Sequence, residues 1–151
     1  MRKIVVAVMM LVWVGVSAAS DDGLVTLKSK YSAAETLDRL EGVLKKKGIN
    51  VFARISHKKN AEGVKLSLRP TELLIFGNPK LGTHFFTSNQ KAGIDFPMKA
   101  LAWEDAKGQV WYTYNDPAYL AKRHGIKDRD DVAKKMAGAL AAFAKAATGA
   151  E

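Results

Sequence analysis

No cysteine occurs among the 151 residues. That absence excludes disulfide stapling, thiolate catalysis and lipoprotein acylation together, and leaves the fold to rest on its core. Histidine occurs only at His57, His84 and His124. None of the three forms an H-x-x-x-H or H-E-x-x-H pair, the spacing that sets two imidazoles on one helix face for a metal. A serine nucleophile in a G-x-S-x-G turn is missing, and so is a phosphate-cradling glycine loop, since Gly77 is followed by Asn78-Pro79. There is no internal repeat and no linker between domains. The longest apolar run, Ile4 to Val16, stops short of the ~20 residues that a membrane-spanning helix needs.

That short run has a different meaning. Met1-Arg2-Lys3 is basic, the apolar core follows, and Ser17-Ala18-Ala19 supplies the small-x-small pattern that signal peptidase reads. The expectation is a secretory signal peptide over residues 1–19, cut after Ala19, and a single domain over residues 20–151. Such a protein is periplasmic or secreted, with no stable membrane anchor after cleavage. Arg2-Lys3 is not a twin-arginine pair, so export by the general route precedes folding and any ligand loading. The formal charge of +9 suits an anionic ligand. The basic residues are dispersed, and the short runs Lys45-Lys46-Lys47 and Lys58-Lys59 carry no interleaved aromatic groups. Without that stacking surface, nucleic acid is not expected as a partner.

Two turn-forming clusters organise the rest. Phe76-Gly77-Asn78-Pro79 and Tyr114-Asn115-Asp116-Pro117 each close an apolar run with residues suited to ending a strand, and each precedes a helical stretch. Leu24 to Lys28 reads as extended. Ser32 and Glu35 form a capping box before a helix carrying Ala33, Leu37, Leu40 and Leu44 on one face and closing at Gly48. Val51, Ala53 and Ile55 alternate along a strand ending near His57. Lys58 to Glu62 fits a helical turn or a loop. Leu73 to Phe76 reads as a central strand buried on both faces, followed by a short helix within Lys80 to Gln90. Met98–Glu104 and Gln109–Asn115 flank Asp105-Ala106-Lys107-Gly108 as an antiparallel hairpin. Asp116 caps a helix with Pro117 in its first turn and Gly125 past its end. A last helix starts near Asp128, with Val132, Met136, Leu140, Phe143 and Ala147 facing the core. Strands and helices without a regular βαβ alternation predict an α+β fold, a two-layer sandwich whose mainly antiparallel sheet packs against helices.

Leu68-Arg69-Pro70, Phe76-Gly77-Asn78-Pro79, Trp103, Tyr114-Asn115-Asp116-Pro117 and Arg123-His124-Gly125 together resemble the bacterial "domain of unknown function 302" family, from about Gly23 to Ile126. The resemblance implies a compact α+β domain. It transfers no reaction, because that family is named for lacking one, and it assigns no role to His84.

The residues themselves offer several chemistries. A small anionic ligand is the leading one: Arg69 and Arg123 can grip carboxylate or phosphate, while Asn78, Tyr114, Asn115 and His124 can orient it. Each has a structural alternative. Arg123 can tie its helix to the Asp116 turn, Asn78 can bond its own turn, and Tyr114 can serve the core. An extracytoplasmic enzyme is the runner-up, with His124 as base and Asp116 as its orienter, but the catalytic residues stay unassigned and no cofactor is singled out. A metal site built on the scattered histidines is a third reading, for copper or zinc by ligand type, although no residue is assigned as a metal ligand. A homodimer is the fourth, through a sheet edge or through Trp103 and Trp111 in the hairpin. The processing expectation has a direct check. Intact-mass and N-terminal analysis of the exported protein should find a chain beginning Ser20-Asp21, and a mass retaining Met1 to Ala19 would refute cleavage.

Overall fold

A computed structural model describes residues 21–150; the expected signal peptide lies outside the described residues. Five strands form one sheet: β1 (Leu24–Lys28), β2 (Asn50–Ser56), β3 (Thr71–Gly77), β4 (Met98–Glu104) and β5 (Val110–Asn115). Their order is β1-β5-β4-β3-β2, and every neighbouring pair is antiparallel. Five α-helices accompany the sheet: α1 (Ala33–Lys46), α2 (His57–Gly63), α3 (Pro79–Ser88), α4 (Pro117–Arg123) and α5 (Asp130–Thr148), with a 3-10 turn at Gln90–Ile94. This is the α+β, two-layer arrangement that the pattern of elements implies.

Alternation along the strands decides which face meets the helices. Leu74, Phe76, Met98, Ala100, Ala102, Tyr112 and Tyr114 are buried and point to one side. Ala100 stands opposite Tyr114, and Ala102 opposite Tyr112. The two small side chains thus leave room for two large rings. Against this face lie Leu37, Leu40 and Leu44 of α1, all fully buried, and Met136, Leu140, Phe143 and Ala147 of α5. Their spacing of three and four is why these two sequences fold as helices with one apolar stripe. The stripe on α1 starts where expected, because Ser32 Oγ accepts the Glu35 amide at 3.2 Å, and it stops past Lys47 at Gly48, whose φ is +64°.

The chain enters the sheet through Gly23, whose φ is +78° and whose carbonyl accepts the Asp116 amide at 2.9 Å. A Cβ there would meet the Tyr119 ring at 2.1 Å, so only glycine fits. At the opposite edge, β2 carries a bulge between Val51 and Ala53 that leaves Val51 and Phe52 exposed. Arg54, just beyond it, ties the edge to the helix layer. Its guanidinium reaches Asp38 and Glu41 of α1, Glu72 of β3 at 2.9 Å and the Ala34 carbonyl at 3.0 Å.

One local expectation differs from what is found, the burial of β3 on both faces, and two others are made definite. The stretch after His57 is a helix, begun by Ser56 Oγ accepting the Lys59 amide at 3.3 Å. Of the run in β3, Leu74 and Phe76 are buried, whereas Leu73 and Ile75 face away from the helices and are half-buried. A continuous apolar run reads the same whether one face or both are covered. The last helix begins at Asp130 because Asp128 is engaged elsewhere, accepting the Ser88 hydroxyl at 2.6 Å.

The β4–β5 hairpin is pinned by a single carboxylate. Asp105 Oδ2 accepts the Trp111 indole N–H at 2.8 Å, and Oδ1 accepts the amides of Lys107 and Gln109 at 2.8 and 3.0 Å. The indole hydrogen bond, with the two amides behind it, holds the Asp105 carboxyl below its ordinary range. A carboxyl favoured as its anion in the folded state contributes fully above the unfolded value of about 3.9, and the contribution fades as pH falls through the lowered native value. Asp105→Asn should therefore reduce stability at neutral pH and flatten its fall below about pH 4, as urea denaturation across pH would read.

Candidate functional site

Since β4 runs antiparallel to both β3 and β5, the last residues of β3 and β5 and the first of β4 share one end of the sheet. Both turn clusters lie there, with the start of β4 between them. Asn78 caps α3 through Oδ1, which accepts the Lys80 amide at 2.9 Å, and its backbone carbonyl accepts the amides of Leu81 and Gly82 at 3.0 Å each. Pro79 follows in the first turn, where a missing N–H costs nothing. Asp116 and Pro117 repeat this arrangement at α4, with Asp116 Oδ1 accepting the Ala118 amide at 3.0 Å.

Beside the Asn78 turn, a cavity of about 320 Å³ opens between the sheet and the helices. Phe76 and Met98 come from the sheet; Met136, Leu140 and Phe143 come from α5. The roof is Leu81, Gly82 and Phe86 of α3 together with Phe96. Phe96 is fixed by its neighbours, tilted on Phe85 at 5.2 Å and edge-on to Phe86 at 5.4 Å between ring centroids. Phe52, about half exposed, stands at the mouth with Gly77 and Asn78. No ionisable side chain lines the space; its polar side chains are those of Asn78 and Thr83. With Oδ1 engaged by the helix, Asn78 turns Nδ2 to a position where it has no hydrogen-bond partner among the described residues.

Gly82 is the informative position of that roof. Glycine inside a helix costs roughly 1 kcal/mol against alanine, yet Gly82 sits within α3 with no positive φ. A Cβ there would make ordinary contacts, 3.6 Å to Phe86 and 3.8 Å to Phe96. Neither backbone nor crowding requires the glycine. What its missing side chain leaves is space at the cavity.

The structure distributes the six sequence candidates unevenly. Arg69 is at the opposite end of the sheet, where its Nε donates to the Glu104 carbonyl at 3.1 Å. Asn78 lies at the cavity mouth. Tyr114 is buried in β5, its ring 5.9 Å from that of Tyr112, and burial, followed by the charge of Asp116, pushes its hydroxyl pKa up. Asn115 closes β5 opposite Leu24. Arg123 and His124 converge on Asp95, with His124 Nε2 at 2.5 Å and Arg123 Nη1 at 3.5 Å from its carboxylate. The His124 carbonyl also accepts the Asn89 side chain at 2.8 Å. These bonds moor the 89–97 segment, which supplies a cavity wall, to the end of α4. His57 begins α2 and His84 lies on α3; among the described residues no group of three His, Cys, Asp or Glu side chains is placed to hold a metal.

Residues 25–143 match the model of the family described as "Domain of unknown function DUF302". The chain belongs to the DUF302 family. A crystal structure of an uncharacterized conserved DUF302 protein from Bacillus stearothermophilus shares the fold, with a TM-score of 0.74 over 83% of this chain and 98% of that one at 21% identity. Among curated proteins, one named "Fluoride-specific ion channel FluC 1" from Brucella suis biovar 1 (strain 1330) is 50% identical over 115 residues, which is 76% of this chain and 45% of that protein. "Fluoride-specific ion channel FluC 2" from Brucella melitensis biotype 1 (strain ATCC 23456 / CCUG 17765 / NCTC 10094 / 16M) is likewise 50% identical over 115 residues, 43% of its length. This DUF302 chain thus spans less than half the length of the curated relatives it matches. Among its described residues no helix is long and apolar enough to cross a membrane.

The residues alone do not point to the cavity. Its lining comes from four separate stretches, and a phenylalanine or methionine on an apolar stripe reads as core. Gly82 is a glycine within a helical stretch with no turn to explain it, but Gly42 and Gly138 read the same way, so the signal does not single out the cavity. The Asp95 contacts give the test here. His124→Ala leaves a largely buried carboxylate short of a hydrogen bond and should cost about 1.5–3 kcal/mol. Arg123→Ala removes an exposed partner and should cost no more than about 1 kcal/mol, both read by urea denaturation.

Proposed function

We propose that this chain is an exported binding protein for a small amphipathic molecule, whose apolar body fills the cavity beneath α3 and whose acceptor head group meets Asn78 Nδ2 at the mouth. The observation that carries the reading is the space walled by hydrocarbon, where Gly82, alone among the helix-interior glycines Gly42, Gly82 and Gly138, lines the cavity and adds no side chain to it. At about 320 Å³ the cavity suits a short-chain or single-ring compound. A carboxylate head agrees with the basic balance that remains when Arg2 and Lys3 are removed. It would be held by the carboxamide donor rather than by an arginine pair, because Arg123 faces Asp95 and Arg69 is at the far end of the sheet.

Binding is favoured over turnover because the lining offers no acid or base side chain. A strongly hydrated inorganic anion such as fluoride finds little to replace its water there, which separates this cavity from the activity named for the curated relatives. Export rests on the basic, apolar and small-residue pattern of residues 1–19.

Titration calorimetry with octanoate and octanol tests the reading. Both should bind the wild-type chain. Gly82→Leu should abolish binding while the protein stays folded, and Gly82→Ala should raise stability by up to about 1 kcal/mol while weakening affinity. Asn78→Asp keeps the helix cap but removes the donor, so octanoate should lose at least about tenfold in affinity and octanol little. Absence of binding by either compound at millimolar concentration, or unchanged affinity in Gly82→Leu, would overturn it.

A further inference from the structure

Three helices close with the same pair of backbone hydrogen bonds, and one of the three departs from the others in two respects. At the end of α1 the Ile49 amide reaches the Leu44 carbonyl at 3.0 Å and the Gly48 amide the Lys45 carbonyl at 3.1 Å. At α4 Ile126 and Gly125 bond to Ala121 and Lys122 in the same way, at 2.9 and 3.1 Å. At α2 Leu66 and Lys65 bond to Ala61 and Glu62, at 2.9 and 3.0 Å. This closure puts its penultimate residue at positive φ, where glycine avoids the clash of a Cβ with its own backbone. Gly48 and Gly125 meet that need. Lys65 does not: its φ is +61°, and the other five positive φ values among the described residues all belong to glycine. The last residue of the closure ordinarily packs inward. Ile126 is buried and Ile49 lies against the core, whereas Leu66 is 66% exposed.

The stretch around this closure is uncovered throughout. No residue of α2 is buried, and every residue from Glu62 to Arg69 is exposed. Val64, Leu66 and Leu68 are three of the six large apolar side chains that the fold leaves exposed, and they alternate with Lys65, Ser67 and Arg69. Lys58 and Lys59 of α2 complete a set of four cations, against one carboxylate in the same stretch, Glu62, which lies 3.9 Å from Lys58. Strain is thus accepted to hold a lysine between two outward aliphatic groups.

We propose that this arm, Lys58 to Arg69, docks the protein reversibly on the surface of a bilayer containing anionic phospholipid. Val64, Leu66 and Leu68 enter the interface, while the four cations meet head-group phosphates. Charge and shape together select this partner. Aliphatic side chains with no aromatic among them need a surface that yields to their outline, and the cations need negative charge spread beside it. A protein partner more often seats aromatic anchors in a pocket. Long lysine stems let the ammonium groups stay at phosphate level as the aliphatic groups sink. Even an acyl chain holds a protein only marginally, so three short side chains need the cations, each of which contributes about fivefold near an anionic surface. The arm enters β3 at Thr71, whereas the cavity mouth lies past the other end of that strand at Gly77 and Asn78. Docking leaves the mouth open.

Co-sedimentation of the exported chain with vesicles of phosphatidylcholine, with and without phosphatidylglycerol, tests this. Ile4 to Val16 would itself enter lipid if retained, so each variant is compared with the wild type on the same N-terminus. Binding is expected only with phosphatidylglycerol and should fall as salt is raised. Lys65→Gly removes a charge and relieves the strained backbone, so it should raise the urea midpoint and yet weaken vesicle binding about fivefold. Leu66→Ser should weaken it at least about tenfold, with circular dichroism unchanged. Lys134→Glu, exposed on α5, should change it far less. Equal binding to both kinds of vesicle, no binding to phosphatidylglycerol at low salt, or binding that Lys65→Gly and Leu66→Ser both leave unchanged would overturn the proposal. So would retention by soluble poly-glutamate without retention by vesicles, which would assign the arm to an acidic protein. Gly82→Leu should dock as the wild type does, so the cavity reading and this one fail separately.

Discussion

The closeness of α1 to the middle of the sheet depends on two alanines. Ala100 and Ala102 lie at the centre of β4 on the helix side and are fully buried. The space they do not take is used by Tyr112 and Tyr114 from one neighbour and by Leu74 from the other. Interiors pack like crystals, so a larger side chain at either position would have to displace α1 or one of the rings. In a chain without cysteine this contact between layers is what the fold has to rely on. The tight region does not run the whole length of β4. At its first residues Met98 replaces alanine, the covering element becomes α3 with Gly82, and the layers no longer close. The cavity sits where the sandwich stops being tightly filled.

Much of this is legible in the residues. Capping serines, asparagines and aspartates mark helix starts because each satisfies an amide that the helix leaves free, and Asp105 to Gly108 marks the hairpin because few residues other than glycine adopt a positive φ cheaply. Leu37, Leu40, Met136 and Leu140 can be assigned to the core from spacing alone. Sheet order cannot, since register depends on which strand meets which across long loops. Neither can the outward face of β3: Leu73-Leu74-Ile75-Phe76 is as apolar on one parity as on the other. For the site, the turn residues are visible and their convergence at one sheet end follows from strand direction. Arg69 looks equivalent to Arg123 in the sequence, but it precedes β3 and so enters the sheet from the other end.

The fold occurs in two settings. In the Bacillus stearothermophilus protein it accounts for 98% of the chain, while in the Brucella relatives the shared 115 residues are under half of the whole. The domain is thus found alone and as a part of something larger. The residues that line its cavity all belong to one copy of the domain.

The bulge in β2 has a consequence for the chain before it is finished. A straight edge strand is a template on which any other unfinished chain can add its own strand. Between Val51 and Ala53 the pairing slips by one residue, which bends the outer row of amides and carbonyls away from a regular ladder. At the other border β1 is only five residues long and ends in Lys28. The β2 border does not continue the sheet easily. A protein with apolar residues on its broad side has this narrow side blunted, which hinders crowded copies from growing sideways from it.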